Sequence, residues 1–70
     1  MKTQDVNKLK NSLSLITGIT SIRIEGSKNT KFTAPNSLII NVFDTGTVTF
    51  QGNTTGEEQK KLMKNIEELI

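Results

Sequence analysis

The 70-residue chain has no cysteine, histidine, tryptophan or tyrosine, and a single proline. Without cysteine there are no disulfides, and without cysteine or histidine there is no soft-metal site to staple the fold. The same absences remove most of the general bases and nucleophiles that work at neutral pH. The remaining carboxylates fall mainly at Glu57, Glu58, Glu67 and Glu68, a helical spacing that reads as a solvated helix face. The expectation is a protein that is not an enzyme and carries no cofactor or metal. No apolar run reaches the roughly 18 residues that cross a bilayer. The opening MKTQDVNKLK lacks the apolar stretch of a signal peptide, so the expected location is the cytoplasm, away from membranes.

Seventy residues suit one domain, 1–70, because splitting the chain would leave neither half enough buried surface to offset chain entropy. A single core of this size supplies roughly 3–5 kcal/mol. Net charge is +2, unevenly spread: residues 1–31 hold six basic and two acidic side chains, and residues 32–70 hold three and five.

Val6, Leu9, Leu13 and Ile16 recur at helical spacing, which predicts a first helix from Thr3 to about Ile16. Thr3 serves as its cap, Asp5 lies in its first turn and Gly18 ends it. "ITSIRIEG" alternates with period two; the expectation is that Ile22 and Ile24 face the core while Ser21, Arg23 and Glu25 face outward, and that Gly26, Ser27 and Asn29 close the strand with turn chemistry. "TKFT" reads as a short strand with Phe32 inward and Lys31 and Thr33 outward, closed by Pro35.

"NVFDTGTVTFQGN" reads as a hairpin. Asp44, Thr45 and Gly46 suit a three-residue loop in which glycine takes the positive φ. Pairing outward sets Phe43 opposite Thr47, Val42 opposite Val48, Asn41 opposite Thr49, Ile40 opposite Phe50, and Ile39 opposite Gln51. Leu38, Ile40, Val42, Val48 and Phe50 then share one face, and a one-residue slip would mix them with threonine. The final segment predicts a helix with a Thr55/Glu58 capping box and an apolar stripe of Leu62, Met63, Ile66, Leu69 and Ile70.

Two amphipathic helices and one amphipathic sheet are expected to assemble as an α+β fold, an antiparallel four-stranded sheet with both helices on one face. The other face would carry Arg23, Lys31, Thr33, Ile39, Asn41, Phe43, Thr47, Thr49 and Gln51. Asn, Gln, Thr and Arg hydrogen-bond to base edges, sugars and phosphates, and an exposed Phe can stack on bases. The competing interpretation is a plain exposed strand surface, since threonine has high strand propensity.

The order of elements, with "LIINVFDTGTVTFQG" running into a helix that ends "NIEELI", resembles one repeat of the TATA-box-binding protein fold. It is similar also to the N-terminal domain of ribonuclease HIII and to related modules in some toxin nucleases. The resemblance implies a half saddle whose helices cover the convex side and whose sheet grips a duplex minor groove or an RNA/DNA hybrid. It places Asn41, Phe43, Thr49 and Gln51 at groove-facing positions, with Phe43 where the family has a kink-forming phenylalanine. The chain departs in having one repeat and a more polar face; a homodimer joined through a sheet edge would restore the saddle. The expected partner is therefore nucleic acid, duplex or hybrid. The alternative is a phage or mobile-element interaction factor that binds and modulates a host protein such as a nuclease, anchored by Ile39 and Phe43.

Overall fold

The computed structural model describes residues 2–69. In chain order the elements are α1 (Val6–Ser14), β1 (Thr20–Ile24), β2 (Asn29–Thr33), β3 (Leu38–Phe43), β4 (Val48–Gly52) and α2 (Glu57–Leu69). The strands form one antiparallel meander in the order β1-β2-β3-β4. This is the α+β architecture that the alternating and helical periodicities predict.

Helix α1 starts later than expected. Asp5 is its N-cap, its Oδ1 accepting the Lys8 N–H at 2.9 Å. Thr3 is instead tied to the hairpin, its N–H donating to the Gly46 carbonyl at 2.8 Å. The helix ends at Ser14; Leu15 to Ile19 continue as tight turns, and Gly18 takes φ +84°.

The β3–β4 hairpin has the predicted register, with Asn41 opposite Thr49 and Ile40 opposite Phe50. Gly46 adopts φ +97°, and its N–H donates to the Phe43 carbonyl at 2.9 Å. A Cβ added at Gly46 would lie 2.6 Å from the Thr3 carbonyl oxygen. Glycine is therefore required there both for its φ and for the close approach of the N-terminal segment.

The capping box expected at α2 does not form. Asn53 Oδ1 accepts the N–H groups of Thr55 and Gly56 at 3.2 and 3.4 Å, and the Thr55 hydroxyl is spent on the same oxygen. The Gly56 carbonyl then accepts the Lys60 N–H at 2.9 Å. Glu57 and Glu58 do lie in the first turn, where they favour the positive end of the helix dipole. Gln59 is buried and fastens α2 to the β2–β3 turn, its Nε2 donating to the Asn36 carbonyl at 2.7 Å. Ile70, the last residue of the expected stripe, lies outside the described residues.

The core joins both helices to one sheet face. Leu9 and Leu13 of α1 and Ile66 of α2 pack with Phe32, Leu38, Ile40, Val42 and Val48, all buried. Phe50, Leu62 and Met63 pack around them, partly buried. Burying large aliphatic side chains contributes about 1.5–3 kcal/mol each before entropy is subtracted, so this layer dominates the favourable side of folding. Among the described residues no helix is long and apolar enough to cross a membrane.

Strand β1 corrects the expected alternation. Ser21 pairs with Phe32 and Arg23 with Thr30, while Thr30 and Phe32 in turn pair with Val42 and Ile40. Directly opposed residues share a face, so Ser21 and Arg23 lie on the helix side and Ile22 and Ile24 on the open side. The strand is exposed from Thr20 to Arg23, so burial does not dictate which side chains turn inward. The guanidinium contact described below holds Arg23 where it is.

Candidate nucleic-acid interface

The open face is laid out by the strand register. One row across it runs Ile24, Asn29, Phe43, Thr47; the next runs Ile22, Lys31, Asn41, Thr49; the third runs Thr20, Thr33, Ile39, Gln51. Eight of the nine residues expected there are on it: Lys31, Thr33, Ile39, Asn41, Phe43, Thr47, Thr49 and Gln51. Arg23 is not.

Arg23 makes a bidentate pair with Asp44 on the helix side, Nη1 to Oδ1 at 2.6 Å and Nη2 to Oδ2 at 2.7 Å, and its Nε reaches Glu25 at 3.2 Å. Lys10 of α1 approaches the same Asp44 carboxylate at 3.9 Å. Charge-assisted fork contacts of this kind are strong and directional. The Arg23 hydrogen bonds hold the Asp44 carboxyl below its ordinary value of 3.8, opposed by desolvation and reinforced by Lys10 and Lys28. They also stabilise the guanidinium cation further. Glu25 follows Arg23 away from the open face, which is left without a carboxylate and with Lys31 as its cation.

Three amides cross the open face as a chain of hydrogen bonds. Asn29 Nδ2 donates to Asn41 Oδ1 at 2.9 Å, and Asn41 Nδ2 donates to Gln51 Oε1 at 3.1 Å. The chain runs diagonally from one row to the next, a reach that long polar side chains span across antiparallel strands. Asn29 and Asn41 are only 3% and 7% exposed, although they lie on the face opposite the helices. Gln51 is exposed, with its Oε1 engaged by Asn41.

Asn29 Oδ1 is buried without a hydrogen-bond partner, an arrangement that costs about 1–3 kcal/mol. The Asn29 residue lines a shallow depression of about 300 Å³ together with Ile24, Lys31, Asn41, Phe43 and Gln51. Sequence reasoning missed Asn29, placing it in the β1–β2 turn. The signal was present, because extending the Lys31 and Thr33 alternation back by two residues arrives at Asn29.

Chemically the face offers amide donors and acceptors held at fixed spacing, an aromatic ring, one cation and hydroxyls from Thr33, Thr47 and Thr49. Such groups bind and orient a polar planar ligand. Comparison with family models, with curated proteins and with solved structures finds no match to this chain.

Proposed function

We propose that the protein is a small, non-enzymatic nucleic-acid-binding module that works in the cytoplasm and engages duplex or RNA/DNA hybrid with its open sheet face. One observation carries this reading: the Asn29–Asn41–Gln51 amide chain lies beside Phe43 and Lys31 on a face that neither helix covers. A face meant only for solvent gains nothing from burying two asparagines and leaving an amide oxygen unpaired, since polar burial of this kind reduces stability. A face that meets base edges and sugars gains from amides already fixed in position, because less side-chain entropy is lost on binding. The likeness to a single TATA-binding-protein repeat agrees with this assignment and belongs to the proposal.

With Arg23 engaged by Asp44, phosphate contact falls to Lys31. Affinity should therefore be modest and weakly dependent on salt. Fluorescence anisotropy with a labelled hybrid and the matching DNA duplex at low salt tests this. Lys31→Ala should flatten the slope of log affinity against log salt by about 0.9 for a duplex. Asn41→Ala should weaken binding at every salt concentration. Absence of binding to both nucleic acids would refute the proposal and favour the second reading, a factor docking on a host protein, for which the half-buried Ile39 and Phe43 would be the anchors.

A further inference from the structure

The two edges of the sheet are treated differently. At β4 the N-terminal segment covers one end, through a Lys2–Thr47 bridge and the Thr3 N–H to Gly46 carbonyl bond, and the strand runs into Gly52 and the Asn53 turn at the other. At β1 none of the described residues adds a further strand or bridge. Thr20–Ile24 contains no proline, is exposed at all but its last residue, and carries Ile22 at 63% exposure. Its one charge, Arg23, is already neutralised by Asp44 and Glu25. Proteins usually blunt a sheet edge with a charge, a proline, a bulge or a covering element. This edge has no proline, bulge or covering element among the described residues, its one charge is paired within the chain, and it displays a large aliphatic side chain.

We infer that β1 pairs antiparallel with β1 of a second copy of this chain, across a two-fold axis that passes through Ile22. The sequence of the strand selects this register. If opposed residues summed to an odd number, Ile22 would meet Ser21 of the second copy and the second helix layer would turn to the opposite side of the sheet, because a one-residue slip exchanges the faces. Among the registers that keep the faces aligned, centring on Arg23 opposes two guanidinium groups, and centring on Ser21 leaves Ile24 beyond the paired segment. Centring on Ile22 pairs all five residues. Ile22 packs on Ile22 of the second copy, Thr20 meets Ile24, Ser21 meets Arg23, and no like charges are opposed. Such self-complementarity is what an isologous two-fold interface requires.

The pairing keeps both open faces on the same side of one eight-stranded sheet. The two amide chains, centred on β3 of each copy, would lie five strand spacings apart, about 24 Å. The dimer does not depend on the ligand proposed above, and its test involves no ligand. If that ligand binds, each dimer presents two sites to one nucleic acid.

The absence of cysteine makes single-cysteine cross-linking a clean test. Opposed Cα atoms in an antiparallel pair lie about 4.5–5.5 Å apart, within the span of a disulfide. Under mild oxidation Ile22→Cys should accumulate as a covalent dimer, whereas Ser21→Cys, which faces Arg23 of the second copy, should stay monomeric. In sedimentation equilibrium the unmodified chain should rise from 7.7 kDa toward twice that mass with concentration. Ile22→Lys should hold it at the monomer mass while leaving its circular dichroism unchanged. A chain that stays monomeric throughout, or an Ile22→Cys variant that cross-links no faster than Ser21→Cys, would overturn the inference.

Discussion

Adjacent isoleucines on β3 provide a sensitive test of which face the helices cover. Ile40 is fully buried beneath them, and Ile39 is half-buried on the open side. Ile40→Ala removes a buried branched side chain and leaves a cavity, a change that costs about 2–5 kcal/mol. Against a total of roughly 3–5 kcal/mol for a core of this size, that variant should be largely unfolded at 25 °C. Ile40→Val, at about 0.5–1.5 kcal/mol, stays within measurable range. Ile39 loses only part of its transfer energy, since much of the side chain already meets water and no closed cavity remains. Ile39→Ala should therefore cost about 1 kcal/mol. Urea unfolding followed by circular dichroism gives both midpoints. The assignment of faces is refuted if the Ile39 substitutions cost as much as the matching Ile40 substitutions.

Two further outcomes are expected from the loops. Gly46→Ala combines φ +97° with a close approach to the Thr3 carbonyl, and should cost about 1–3 kcal/mol and detach the N-terminal segment; urea midpoints and the NMR signal of the Thr3 amide would report both effects. Because Arg23 lowers the folded-state pKa of Asp44 below 3.8, this pair adds stability that is fully present above the unfolded value and is lost as pH falls through the lower folded value. Asp44→Asn should thus be less stable than the parent chain at neutral pH, with a difference that shrinks in acid; midpoints measured from neutral pH downward check the sign.

Hairpin β3–β4 was fully legible in the sequence because two constraints agree on it. The turn chemistry of Asp44-Thr45-Gly46 fixes the loop, and the large aliphatics on alternate positions fix the faces. The four-stranded sheet under two helices followed from the same kind of periodicity. Strand β1 was misread because its alternation of Ile22 and Ile24 with Arg23 looks amphipathic, yet the strand lies on an exposed edge. There, a long-range pair to Asp44, 21 residues away, sets orientation instead of burial. Helix caps were displaced for a related reason. Thr3 is held by Gly46, so Asp5 caps α1, and the Thr55 hydroxyl is spent on Asn53 in the turn before α2. The amide chain itself was invisible, because Asn29 reads as turn chemistry until its neighbours across the sheet are known.

Whether the open sheet face is the binding surface can be read residue by residue from amide chemical-shift mapping. Titrating a short RNA/DNA hybrid into the labelled protein at low salt should move the resonances of Asn29, Lys31, Asn41, Phe43, Thr49 and Gln51, with the side-chain amide of Gln51 among the largest shifts. Shifts confined to α1 and α2, or none at saturating hybrid, would contradict the proposal.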